Sequence, residues 1–222
     1  GNNMSGRLFI VSNRLPYSFT LADDKRCTDT GNYEDQNLDN GQPRYRFTQS
    51  SGGLVSGLKP LSEKKDTMWV GWADTHNISL DAHEKECLVK ELNDRRCVPV
   101  FLGEQEVNSY YDGFSNSAIW PLFHYFSQFC NFDQEEWESY KRVNEIFSDV
   151  LADTVQPGDT VWIHDYHLML LPEMVRHRIP GIQVGFFLHI PFPSYEAFRI
   201  IPCREEILQG ILGADLIGFH TY

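Results

Sequence analysis

The stretch Thr160-Val161-Trp162-Ile163-His164-Asp165-Tyr166-His167, followed after a helix-like segment by Gly185-Phe186-Phe187-Leu188-His189-Ile190-Pro191-Phe192-Pro193, decides the fold. Two short apolar runs, rich in β-branched and aromatic residues, each stop abruptly in a polar cluster. Runs of this length, bounded by turn residues and separated by helical spacing, read as parallel strands of a βαβ unit. In open α/β sheets, ligands bind beyond the carboxyl ends of such strands. His164, Asp165, His167 and His189 therefore fall where a polar substrate would be held.

The same alternation extends in both directions. Leu8-Phe9-Ile10-Val11 reads as a buried first strand leading into Ser12-Asn13-Arg14-Leu15-Pro16. Residues 22–43 are polar and aperiodic, which predicts a long surface loop or hairpin tip, and Tyr45 to Gln49 alternates like a strand. Ser50-Ser51-Gly52-Gly53-Leu54 is a glycine turn opening the helical spacing of Leu54, Val55, Leu58 and Leu61. Strands are predicted at Met68–Trp72 and Cys97–Phe101, with an amphipathic helix over Leu80–Asn93 between them. A long surface helix is predicted over Gln134–Val155, a helix over Leu168–Arg178, and a last helix near Pro202–Leu212 before the strand Leu216–Phe219. Strand and helix alternating in this way predict a doubly wound, mostly parallel, Rossmann-like α/β sheet.

With 222 residues and 41% hydrophobic content, the chain can bury a sizeable core. Its formal charge of -12 disfavours sequence-independent binding to nucleic acid or anionic membranes. An anionic substrate must then be held by a local device. No apolar run approaches the ~20 residues that span a bilayer. The five cysteines, Cys27, Cys87, Cys97, Cys130 and Cys203, lack C-x-x-C spacing and read as reduced thiols. A soluble, cytoplasmic protein is expected. Gly1-Asn2-Asn3 reads as an expression scar, leaving residues 4–222 as one domain. Thr221-Tyr222 stands where a further helix should open, so a fragment is expected.

Gly52 and Gly53, at a helix start, are the best candidate anion site, because free N–H groups and the helix dipole favour a phosphate there. The pattern is neither a dinucleotide fingerprint nor a P-loop, and a plain turn is the competing reading. For Arg14, a bidentate phosphate clamp and a structural ion pair are both open. The segment Tyr110 to Tyr125 interleaves aromatic residues with amides and hydroxyls, a composition suited to sugars; Phe114, Phe123 and Tyr125 are expected in the core. His164, Asp165 and His167 crowd one strand end and would converge poorly on a metal, so none is expected, and His164 and His167 read as satisfied structural histidines. A carboxylate such as Asp165 at a strand end is costly unless it accepts hydrogen bonds, and sugar hydroxyls donate them.

Taken in order, Ser12-Asn13-Arg14-Leu15-Pro16, Ser51-Gly52-Gly53-Leu54, Gly71-Trp72, Tyr111 through Tyr125, Trp162 through His167 and Phe187 through Pro193 resemble the trehalose-6-phosphate synthase family. The resemblance covers nearly the whole chain. It implies the N-terminal half of a GT-B glycosyltransferase, two Rossmann-like domains facing across a cleft, with the C-terminal nucleotide-sugar domain lying outside this chain. The implied reaction is retaining transfer of glucose from UDP-glucose to glucose 6-phosphate, giving trehalose 6-phosphate and UDP. By motif, Arg14, Trp72, Tyr111, Trp120 and Asp165 would contact the acceptor, and Gly52, Gly53 and His189 the donor. Asp165 and His189 would stand nearest the chemistry.

The resemblance implies no cofactor beyond the two substrates. It also implies a fragment inactive without its C-terminal domain, and leaves room for a homo-oligomer. A second expectation is a non-catalytic regulatory or scaffolding subunit of a trehalose synthase complex, which would keep the fold without the activity.

Overall fold

The computed structural model describes residues 6–22, 45–124 and 131–220. The leader, nearly all of the 22–43 stretch, Cys27, Tyr125, Cys130 and Thr221-Tyr222 lie outside the described residues. Strands β1 (Leu8–Arg14), β4 (Thr67–Trp72), β5 (Cys97–Val100), β6 (Thr160–His164), β7 (Gln183–Leu188) and β8 (Leu216–Phe219) form one parallel sheet in the order β5-β4-β1-β6-β7-β8. Successive strands step one way from β1 and the other way from β6. The winding thus reverses between β1 and β6, and a doubly wound sheet opens its ligand crevice at that reversal.

Alternation along β1 explains the continuous apolar run. Phe9 and Val11 pack on one face with Tyr140, Val143 and Phe147 of α5 (Gln134–Thr154), whereas Ile10 packs on the other with Leu88 and Leu92 of α2 (Ala82–Asp94). A strand buried on both faces has no polar side to show. The second face is completed by α1 (Gly53–Ser62) and by an antiparallel pair, β2 (Tyr17–Leu21) with β3 (Tyr45–Gln49). Strand β2 went unpredicted although Tyr17-Ser18-Phe19-Thr20 alternates, because a two-stranded ribbon carries only half a buried face. Asp81 and Glu84 cap α2 reciprocally, and Asp133 accepts from Glu135 N and Glu136 N at the start of α5.

Three consecutive helical pieces follow β5: α3 (Glu104–Val107), a π-helix over Asn108–Ile119, and α4 (Trp120–Phe123). The sequence showed their aromatic content but not this geometry. A π-helix needs i→i+5 pairing, which tertiary context imposes and local propensity does not. The predicted helix over Leu168–Arg178 is also divided: a 3-10 turn (Tyr166–Leu168) precedes α6 (Leu171–Arg178), and Pro172 stands near the α6 start. Short α7 (Tyr195–Phe198) and α8 (Arg204–Leu212) lead to β8.

One irregularity in the sheet matters for function. Val11 pairs with Val70 but Arg14 pairs with Trp72, so β1 carries one residue more than β4 over this interval, a β-bulge. It is packed directly on Gly71. A Cβ at Gly71 would lie 2.7 Å from the Arg14 carbonyl carbon and 2.7 Å from Leu15 N, both backbone atoms that cannot swing away. Gly71→Ala should therefore lower the urea-unfolding free energy by about 1–3 kcal/mol, the usual cost of overpacking; an unchanged midpoint would show that the bulge is not held there.

Candidate active site

The bulge aims Arg14 out of the sheet. Ser12 Oγ accepts from Trp69 Nε1 at 2.8 Å and donates to the Arg14 carbonyl at 2.7 Å, while buried Asn13 accepts from Tyr110 Oη at 2.7 Å. Tyr110 is fully buried in the π-helix, and burial pushes its phenol well above the usual range, so it stays a donor. With its backbone fixed, exposed Arg14 lays its guanidinium 4.5 Å from the Trp72 ring centroid and 5.3 Å from that of Tyr111. It also donates to Asp74 Oδ2 at 3.1 Å. Of the two readings open for Arg14, the ion pair is present, yet it engages a single nitrogen of a five-donor fork.

Asp74 was missed by sequence reading, since a lone aspartate after a strand carries no signal. Burial pushes its carboxyl up, but bonds from His76 and Arg14 outweigh this and hold it below the ordinary range. The His76 backbone N–H donates to Asp74 Oδ1 at 3.2 Å, and the His76 ring nitrogen also reaches that oxygen.

Tyr111 continues the wall by stacking on His167 at 5.7 Å between centroids. Burial, with the Arg14 charge behind it, holds the His167 imidazole down to about 3. The loop bearing it is fixed from α5: Tyr140 Oη donates to the Tyr166 carbonyl at 2.8 Å and accepts from Met169 N at 3.0 Å, and Asn144 Nδ2 donates to the His167 carbonyl at 3.2 Å. Tyr166 Oη reaches Asn116 Oδ1 of the π-helix at 3.1 Å. Tyr140 and Asn144 are positioning residues that the sequence marked only as polar groups on the buried face of an amphipathic helix.

Asp165 sits at the end of β6 with φ 76° and ψ 175°, a region that only glycine enters freely. Its N–H donates to the Phe187 carbonyl at 2.8 Å, and its Oδ1 accepts from His189 N at 3.2 Å. Burial pushes its carboxyl up against these backbone bonds. The nearby His124 ring stacks on exposed Trp120 at 4.0 Å, and its charge acts on Asp165. His164 was expected as a satisfied structural histidine; it bonds His189 through Nδ1 at 3.0 Å, but its buried Nε2 has no partner among the described residues. His167 Nδ1 is likewise buried and unpartnered there. The expectation of full satisfaction is corrected for both: the rings of Trp162 and Phe187 contact His164 and those of Tyr111 and Tyr166 contact His167, and none of these gives the free nitrogen a hydrogen-bond partner.

Gly52 and Gly53 open α1 with no side-chain cap, and a Cβ at either would meet nothing within 4 Å. Ser50 N donates to the Pro16 carbonyl at 2.8 Å, which ties this helix start to the chain just beyond the bulge. A helix start leaves its first N–H groups without intrahelical partners, and this one stands near the β1 end, where an anion could use them. Among the described residues no three His, Cys, Asp or Glu gather as a metal site, and no helix is long and apolar enough to cross a membrane. A concavity of about 630 Å³ opens between α5, α6 and α8, where Arg142 and Arg178 are already paired with Glu145 and Asp149.

A doubly wound sheet presenting a basic, aromatic and carboxylate wall at its switch point is Rossmann-like, an architecture of the GT-B type. The chain belongs to glycosyltransferase family 20, whose family model matches residues 7–222. It is 48% identical over 98% of its length to alpha,alpha-trehalose-phosphate synthase [UDP-forming] A of Dictyostelium discoideum, spanning only 27% of that protein. A UDP-forming synthase from Burkholderia xenovorans, solved in complex with glucose-6-phosphate, superposes with a TM-score of 0.68 at 26% identity, covering 97% of this chain and 40% of that one. The N-terminal domain of Candida albicans trehalose-6-phosphate phosphatase superposes with a TM-score of 0.70 at 29% identity, covering 100% of this chain and 42% of that one. The chain thus corresponds to the N-terminal part of longer proteins.

Two outcomes test the site's physics. At Asp165, the Gly variant should be more stable than the Ala variant by about 1 kcal/mol in urea unfolding, the reverse of the usual order, because φ is positive. His164 and His167 are both held near 3 in the fold, against an ordinary value of 6.5. Below about pH 6.5 the unfolded chain takes protons that the folded one refuses, so stability falls as pH drops through that window. His167→Phe keeps the stacking and removes one such group; its unfolding midpoint should depend less steeply on pH between about 6.5 and 4, and an unaltered slope would contradict the burial assigned to His167.

Proposed function

We propose that the full-length enzyme transfers glucose from UDP-glucose to glucose 6-phosphate, giving trehalose 6-phosphate and UDP with retention, and that this chain supplies the acceptor wall. The observation that carries the reading is Arg14, raised by the bulge over Trp72 and Tyr111 with most of its fork free. Phosphate suits a planar guanidinium, and the aromatic edges below it suit the apolar face of a hexose. Asp165 is the hydroxyl acceptor in this reading, with Trp120 closing the sugar site beside it. The amides opening α1 at Gly52 and Gly53 meet the donor diphosphate, and His189 meets the donor glucose.

Catalysis then consists of positioning and of stabilising charge that develops on the departing diphosphate. The leaving oxygen takes the acceptor proton on the same face, so no enzyme nucleophile is required. Asp165, whose Oδ1 already accepts the His189 N–H, orients a hydroxyl in this scheme and forms no bond to the sugar. The reading calls for no cofactor beyond the substrates, and phosphorylated sugar substrates favour a cytoplasmic enzyme. The chain alone carries one wall, so it should release no UDP at enzyme-like rates.

The likeness to a phosphatase's N-terminal domain favours a second reading, a non-catalytic regulatory or scaffolding subunit. Steady-state UDP release by the full-length protein separates the two. In the same assay Arg14→Ala should raise the glucose 6-phosphate requirement about 10- to 100-fold, the loss expected for a charge-assisted hydrogen bond of ~1.5–3 kcal/mol. Kinetics indistinguishable from the parent would overturn the acceptor assignment.

A further inference from the structure

Three imidazoles from three adjacent strand ends meet edge to edge on the carboxyl side of the sheet. His164 closes β6, His189 follows β7, and His220 follows β8. His164 Nδ1 lies 3.0 Å from His189 Nε2, and His189 Nδ1 lies 3.2 Å from His220 Nε2. The ring centroids are 5.2 Å apart at both steps. His164 is 1% exposed, whereas His220 is exposed, so the row runs from core to surface.

A hydrogen bond between neutral imidazoles needs an N–H on one ring and a bare nitrogen on the other. Two such bonds in series permit only two proton arrangements for the row, all N–H groups pointing outward or all inward. His189 cannot change tautomer unless both neighbours change theirs. The outward arrangement is the one selected, because the inward one would leave an N–H on His164 Nε2, which is buried and has no partner among the described residues. Only the outer end, at His220, is open to exchange with solvent or with a substrate hydroxyl.

We infer that His220 is a positioning residue for His189, fixing the orientation and tautomer of its ring at the donor side of the cleft. Both His189 ring nitrogens are occupied by other histidines, so the ring is held still before any sugar arrives. A hydroxyl, being donor and acceptor at once, is suited to take the place of the exposed partner. This role in the reaction rests on the functional reading above; the tautomer lock itself does not.

The groups facing His189 among the described residues are His164 from β6, His220 after β8, and Asp165, which accepts its backbone N–H. Burial first and the His220 charge second hold the His189 imidazole down to about 4. Removing His220 exposes the ring and deletes a like charge, and both changes raise the pH at which His189 takes a proton. Gln in its place supplies an amide that donates or accepts near the position of Nε2.

The test has two arms. In this chain with 15N-labelled histidine, the His189 ring signals should report a single tautomer, which becomes a mixture in His220→Ala and returns in His220→Gln. The His189 titration midpoint should move upward in the Ala variant. In the full-length enzyme, His220→Ala should lower kcat/KM for the UDP-sugar about tenfold and shift the acid limb of the pH profile upward, Gln should restore the rate to within about twofold, and glucose 6-phosphate binding should stay unchanged. Identical His189 spectra in parent and Ala variant would overturn the inference. If the parent enzyme transfers no glucose, the functional reading fails while the spectra still decide the role of His220.

Discussion

The seating of the β1 bulge on Gly71 is the constraint from which the rest of the site follows. One extra residue in a central parallel strand turns Arg14 out of the sheet, and it can do so only because the neighbouring strand has no Cβ at that point. The buried polar side chains of the bulge are then paired inward, Ser12 with Trp69 and Asn13 with Tyr110. Tyr110 belongs to the π-helix, so the same bond that settles the bulge also sets where Tyr111 stands. A basic side chain and the aromatic rings beneath it are thus placed by one packing solution.

The second strand end is held by a different device. Asp165 occupies a backbone conformation that costs on the order of 1–3 kcal/mol for a side-chain-bearing residue, and it survives because the loop around it is over-determined. Tyr140 and Asn144 of α5 grip the carbonyls and amide of that loop, and the Phe187 carbonyl holds Asp165 from β7. Around it, burial holds the His164, His167 and His189 imidazoles well below their ordinary value, so these three leave Arg14 as the dominant cation of the wall. For a chain of net charge -12, one well-presented guanidinium and one uncapped helix start are the local devices that an anionic substrate needs.

Much of this was legible in the sequence because it follows from short-range pattern. The apolar run at Phe9–Val11 is buried on both faces, and those at Val161–Ile163 and Phe186–Leu188 bury alternate residues on one face while Trp162 and Phe187 stay half-buried on the other; all three read as parallel strands with their polar ends on the carboxyl side of the sheet. The ordered motifs then named the family. Asp74, Tyr140 and Asn144 escaped, since each acts through a partner far away in sequence and none has a spacing that announces it. The division of the segment after β6 into a 3-10 turn and α6, and the π-helix before α4, escaped for a related reason: propensity describes a helix but not the extra residue that packing inserts into it.

By itself, then, the sequence determined the winding of the sheet, the strand ends at which polar residues gather and the residue types found there, because periodicity and turn chemistry are local properties. Tertiary structure alone decided which way Arg14 points, that Asp165 is strained, and that His164, His189 and His220 form one hydrogen-bonded row, because these depend on a glycine across a strand pair and on three strand ends brought side by side.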